Sequence, residues 1–161
     1  MLRTAQIVLP RDLTFVPLDF EHKTLAASLA EAGLDTTIPA FFGWLGVVPY
    51  LTLDAFRATL QTIAQLPAGT AVSFDYALPR EALSPQGQTA FDRLSHRVSA
   101  AGEPFQLFFT AEDLEAELRQ AGFHRVQQLD YDQLNELYFK DRADGLKLSP
   151  VGLALLATAW V

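Results

Sequence analysis

The chain has 161 residues, half of them hydrophobic and 19% charged, with a net charge of −7 and no cysteine. That length fits a single domain spanning 1–161, and the apolar half excludes a disordered or acidic solvating tail. The acidic balance argues against a general nucleic-acid binder, which needs a basic footprint, and the lack of cysteine removes disulfides, thiolate zinc sites and cysteine nucleophiles.

Leu13-Thr14-Phe15-Val16-Pro17-Leu18 is short, β-branched and aromatic, and it runs into Asp19-Phe20. It reads as a strand ending on a polar residue, short or near an edge because Pro17 cannot donate to a ladder. His22 to Ala32 carries Leu25, Leu29 and Ala32 at helical spacing, with Gly33 as the stop. Ile38 to Val48 is nearly all apolar, as expected of a strand buried on both faces. Thr52 then caps a helix with Phe56, Leu60 and Ile63 on one face, closed by Leu66-Pro67-Ala68-Gly69. Ala71 to Tyr76 is the next strand, again finishing on a polar pair, Asp75-Tyr76.

Ser84-Pro85 reads as an N-cap followed by proline in the first turn of a helix bearing Phe91, Leu94 and Val98. Thr110-Ala111-Glu112-Asp113 resembles a capping box and opens a helix with Leu114, Leu118 and Ala121 inside, stopped by Gly122. Phe123 to Leu129 and Leu153 to Trp160 are further strands, joined by a polar loop. The order strand, helix, strand, helix, strand, helix, helix, strand, loop, strand implies an α/β layer fold with a mainly parallel sheet. The last pair lacks an intervening helix, so an antiparallel last strand is expected.

Ligands of open α/β sheets lie beyond the carboxyl ends of the strands, where Asp19, Tyr50, Asp75 and Tyr76 fall. An acid there accepts hydrogen bonds from ribose hydroxyls or an adenine amino group. The competing roles are a helix cap or turn for Asp19, half-buried packing for Tyr50 and capping for Asp75. His22, His96 and His124 lie far apart and form no ligand spacing, so no metal site is expected. There is no G-x-S-x-G elbow, no phosphate-binding P-loop and no G-x-G-x-x-G. Gly43 and Gly46 lie within the apolar run, where close packing is their expected role. The start, Met1-Leu2-Arg3-Thr4-Ala5-Gln6, is too polar for a secretory core, and no apolar run reaches the roughly 18 residues of a membrane span. A cytoplasmic protein that contacts neither membrane nor nucleic acid is expected.

Six segments in register carry a resemblance. They are Leu13 to Phe20, Phe41 to Thr52, Val72 to Tyr76, Ala100 to Phe105, Leu118 to Phe123 and Leu134 to Leu146. In this order they resemble the class I S-adenosylmethionine-dependent methyltransferases related to leucine carboxyl methyltransferase. Bacterial members of that family include O-methyltransferases linked to polyketide-type chemistry.

The resemblance implies a Rossmann-like sheet with helices on both faces and an antiparallel last strand, and S-adenosylmethionine as cofactor. It implies that Asp19 meets the adenine amino group while Phe20 packs on the ring. Tyr50 would lie near the methyl donor, Asp75 and Tyr76 would border the pocket of a small-molecule acceptor, and Tyr138 and Arg142 would stand near its rim. The family's N-terminal strands, with their Gly-rich loop and ribose-binding acid, have no counterpart in the chain on this alignment. One expectation is therefore O-methyl transfer to a carboxylate or hydroxyl. The alternative is an inactive C-terminal remnant acting as an oligomerising or partner-completed half-domain. The family's first strand lies beside its fourth, so without it either the Leu13 to Leu18 strand or another chain is expected along the edge of the Phe41 to Val48 strand.

Overall fold

The computed structural model describes residues 8, 10–17, 25–149 and 151–161. These divide into two compact units, one ending at Thr36 and the other running from Thr37 to Val161.

The first unit holds helix α1, Leu25–Glu31. It ends as its sequence dictates. Gly33 adopts φ +89°, its N–H bonds Ala30 O at 3.0 Å, and Leu34 N–H reaches Leu29 O at 2.9 Å. The strand expected at Leu13 to Leu18 is absent over its described part: residues 13–17 are irregular, and Leu18 lies outside the described residues. Pro17 has no donor, and no described strand pairs with this stretch, so its β-branched composition has no ladder to join.

The second unit is built on four strands, β1 (Phe41–Trp44), β2 (Ala71–Ala77), β3 (Arg125–Leu129) and β4 (Ala154–Trp160), in the spatial order β1-β2-β4-β3. β1 and β2 are parallel. β4 enters antiparallel between β2 and β3, so the last strand has the expected direction. Helix α2, Leu53–Ala64, makes the crossover from β1 to β2. Helices α3, Pro85–Ala100, and α4, Ala111–Ala121, lie between β2 and β3.

Helices α2, α3 and α4 each start where a hydroxyl is available to an orphan donor. Thr52 accepts from Ala55 N–H, Ser84 from Gly87 N–H and Thr110 from Asp113 N–H. Gly122, at φ +108°, turns the chain out of α4 and into β3. Where a plain loop is expected between the last two strands, a short helix α5, Tyr131–Leu134, forms and runs on into a π-turn, Asn135–Phe139. Asp130 caps it, with Gln133 reaching back to the Asp130 N–H.

One face of the sheet carries the core. Val72, Phe74 and Tyr76 of β2 and Ala157 and Ala159 of β4 pack against Phe56 and Leu60 of α2 and Leu114 and Leu118 of α4. Trp44 stacks on Phe56 at 5.8 Å between ring centroids, tying β1 to the same layer. Arg57 and Glu117 clip α2 to α4 through two hydrogen bonds of 2.7 and 2.6 Å. The opposite face is more polar. There Thr158 donates to Ser73 at 3.0 Å, and the Arg125 guanidinium lies 3.9 Å from the Trp160 ring centre.

The apolar run from Ile38 to Val48 gives a strand of only four residues. Gly46, at φ +72°, bends the chain, and Val48–Tyr50 closes a 3-10 turn around Pro49. Burial on both faces is not realised for this strand. Phe42 and Trp44 pack on the core, whereas Phe41 is 69% exposed and Gly43 is exposed. β1 pairs with β2 along one side alone among the described residues, which leaves its outer residues uncovered.

Candidate functional site

The carboxyl ends of β1 and β2 open onto two cavities, both within the second unit. The first, of about 490 Å³, is bordered by Gly46, Val47, Tyr50, Gly102, Glu103 and Gln106. Its wall is a clip between two loops. Pro49 O accepts from Gln106 N–H at 2.8 Å and Leu107 N–H at 3.2 Å, Gln106 Nε2 donates to Tyr50 O at 2.9 Å, and the Tyr50 and Phe105 rings lie 5.2 Å apart. The second cavity, of about 530 Å³, lies between α3, α5 and the start of β4, with walls from Ala90, Leu134, Val151 and Leu156 and polar groups from Asp75 and Tyr131.

Asp75 joins the two. Its Oδ1 accepts the Gly46 N–H at 2.5 Å, so a residue of the second cavity holds the backbone of the first. The alternation of β2 explains the placement. Asp75 stands opposite Leu156 on the less apolar face, while its neighbour Tyr76 turns into the core. Tyr76 lines neither cavity. Its hydroxyl donates to Gln128 Oε1, whose amide in turn donates to Ala111 O at 2.9 Å. Burial first, and then the negative charge of Glu112, push the Tyr76 phenol above its ordinary range.

The other residues singled out in the sequence are scattered. Asp19 and Phe20 lie outside the described residues. Tyr138 stands 64% exposed on the π-turn. Arg142 is engaged by Asp144 through bonds of 2.9 and 2.6 Å, and that carboxylate raises the arginine above its ordinary value. The structure thus brings Tyr50 and Asp75 to adjoining cavities and leaves Tyr76, Tyr138 and Arg142 out of both. Glu103, Gln106 and Tyr131 were not marked in the sequence. The Asp130-Tyr131-Asp132-Gln133 capping signature is the signal that would have put Tyr131 on a helix.

The chemistry of the first cavity suits one part of a sulfonium cofactor. Its side chains offer a carboxylate, an aromatic ring and an amide, and no cation, an environment that favours a positive ligand over an anionic one. Gly46 is set by its backbone rather than by crowding, since a Cβ there would meet nothing within 4 Å. Among the described residues no three His, Asp or Glu side chains converge on a point, and no helix is long and apolar enough to cross a membrane.

A sheet of two parallel strands followed by an antiparallel strand inserted beside the edge, with helical crossovers, defines a Rossmann-like fold of the methyltransferase kind. Solved structures share it. A DUF574 family protein from Streptomyces avermitilis superposes with a TM-score of 0.52 at 17% identity, covering 84% of this chain and 51% of that one. The methyltransferase CalO6 gives 0.50 at 13%, covering 83% and 44%.

Sequence narrows the class. Residues 1–64 match the leucine carboxyl methyltransferase family. YktD of Bacillus subtilis (strain 168), provisionally assigned as an S-adenosyl-L-methionine-dependent methyltransferase, is 32% identical over 149 residues, 90% of this chain and 48% of that protein. The chain is thus similar to S-adenosylmethionine-dependent methyltransferases, with residues 1–64 similar to the leucine carboxyl methyltransferase family, and it spans about half the length of the curated relative it matches.

Proposed function

We propose that the chain forms the acceptor side of an S-adenosylmethionine-dependent O-methyltransferase acting on a carboxylate or hydroxyl of a small molecule. The observation that carries this reading is the Asp75–Gly46 hydrogen bond, which joins two cavities at the carboxyl ends of adjacent parallel strands. That is where open α/β sheets bind their ligands. When bound, S-adenosylmethionine supplies a methyl group on a positive sulfur. In this reading Tyr50 and Glu103 border the charged end, and Asp19 and Phe20 take the adenine. Asp75 stands on the acceptor side, where a hydroxyl would hand it a proton and a carboxylate would need no base. Tyr138 and Arg142 would stand at the rim, and Tyr76 would fix β2 from behind. Most of the rate would come from holding the two reactants together and dry. A cytoplasmic setting suits a chain with no cysteine to oxidise.

Calorimetric titration of S-adenosylhomocysteine into the purified chain tests this. Micromolar binding that Asp19→Ala weakens is the expected result; absence of heat from a folded chain would overturn it.

A second reading, that of an inactive half-domain completed by another chain, is favoured by the outer side of β1. That strand pairs only with β2 among the described residues, and Phe41 and Leu45 next to the open edge are exposed. It predicts association at micromolar concentration by sedimentation velocity; a strict monomer would remove it.

A further inference from the structure

We infer that the second cavity selects an apolar acceptor that presents a neutral hydroxyl and rejects a free carboxylate. This rests on the methyltransferase reading and narrows its acceptor. The walls are aliphatic, built from Ala90 of α3, Leu134 of α5, Val151 in the following loop and Leu156 of β4. Among the described residues, no lysine, arginine or histidine lines the cavity. The one charged side chain among the described lining residues is an acid, Asp75.

Charge decides between the two acceptors. A carboxylate entering these walls would lose water, find no cation and meet the Asp75 carboxylate, so both desolvation and repulsion oppose it. A hydroxyl has neither penalty. Asp75 Oδ1 is occupied by the Gly46 N–H, and Oδ2 has no hydrogen bond among the described residues, so it is available to accept from the ligand's O–H. Tyr131 and Ser149, each bearing a hydroxyl, are also among the lining residues. An ammonium would gain Asp75 as a counter-ion but would give up its hydration against aliphatic walls. Its nitrogen also carries no free lone pair until it is deprotonated.

The same arrangement balances the transfer. The acceptor oxygen bonds the methyl carbon as the carbon–sulfur bond of the sulfonium donor breaks. The bonding pair stays on sulfur, and the hydroxyl proton passes to Asp75. The products are a methyl ether, the neutral thioether and a protonated carboxyl that returns its proton to solvent.

The test uses three probes of one carbon frame, cinnamyl alcohol, cinnamate and cinnamylamine, titrated separately into the unmodified chain near neutral pH and followed by ligand-observed NMR. The alcohol is expected to bind, and cinnamate to bind about tenfold more weakly or worse. Asp75→Asn keeps an acceptor for Gly46 N–H and should narrow that gap by relieving the repulsion. Leu134→Trp, which fills the cavity, should remove alcohol binding. Cinnamate binding as tightly as the alcohol would overturn the inference. So would tighter binding of the amine, or no binding by any of the three. The methyltransferase reading fails separately. S-adenosylhomocysteine bound without the alcohol leaves that reading and sinks the acceptor inference. Alcohol selectivity without S-adenosylhomocysteine binding upholds the cavity's preference and sinks the reading.

Discussion

Asp75 and Tyr76 are consecutive in β2, yet the two faces they serve have little in common. On the Tyr76 side every neighbour is fixed: Phe56, Leu60, Phe74, Leu114 and Leu118 are fully buried, and the one phenol is satisfied by Gln128. On the Asp75 side the contacts are half-exposed, a polar Ser73–Thr158 pair and a carboxylate on a turn beside a cavity with aliphatic walls. The period of two in a strand makes this division possible without any separation in sequence. Stability therefore resides on one face and the proposed chemistry on the other, and substitutions on the two should have separable effects.

The largest effect is expected in the shared aromatic layer. Phe74 meets both Trp44 and Phe56 edge-on, at 5.9 and 5.7 Å, so Phe74→Ala opens a cavity that three elements border. A loss of about 3–5 kcal/mol in urea unfolding is expected. A loss below about 1 kcal/mol would mean that the layer is not close-packed.

Tyr76→Phe should come next. It keeps the ring and strands Gln128 Oε1 in a part-buried site, at a cost of about 1–3 kcal/mol. The same phenol gives a pH signature. Its folded pKa lies above the unfolded one, so its contribution is complete below the unfolded value near 10 and is lost as pH rises beyond it. Unfolding midpoints taken up to strongly alkaline pH should fall less steeply in Tyr76→Phe than in the parent. Identical slopes would mean that Tyr76 titrates normally.

This division into two faces was only partly readable in the sequence. The starts of α2, α3 and α4 were legible because each rests on a local signal, a Thr or Ser whose oxygen meets a backbone N–H within its own turn. The direction of β4 was expected from a connection read as a plain loop, and it holds although that connection carries α5 and a π-turn. Hydrophobicity, however, does not say what covers a residue. The run from Ile38 to Val48 has the composition of a central strand, but among the described residues its strand β1 is an edge, with Phe41 exposed. The pair Asp75-Tyr76 was recognised as polar and placed at a strand end, but which of the two faced a cavity depended on the register with β4. Glu103 and Gln106 gave no signal at all, because their place beside Tyr50 arises from a contact between loops more than fifty residues apart.

A smaller effect on the buried face tests whether α2 and α4 move as one layer. Hydrogen bonds from Arg57 hold the Glu117 carboxyl below its ordinary value. Its contribution is present above the unfolded pKa near 4.3 and is lost as pH falls through the depressed folded value. Glu117→Gln should weaken the chain less than either aromatic change, with the difference from the parent shrinking on acidification. A difference that does not change with pH would assign the effect to packing.

The smallest effect is expected at Phe41, and it is the sharpest check on the contrast between covered and open surface. Phe41 and Phe74 are both phenylalanines on paired strands, three residues apart in register, Phe41 facing Ala71 and Phe74 facing Trp44. One is fully buried and the other 69% exposed. If the exposed ring contributes nothing to the folded chain alone, Phe41→Ser should alter unfolding by no more than about 0.5 kcal/mol. It removes apolar surface beside a strand edge with no partner among the described residues, so light scattering of concentrated samples should fall at the same time. A stability loss comparable to that of Phe74→Ala would show Phe41 to be covered in solution, and β1 would then have a neighbour on its outer side. Unchanged stability with unchanged scattering would show that this edge is already protected by its own shortness, four residues being too few to template another strand.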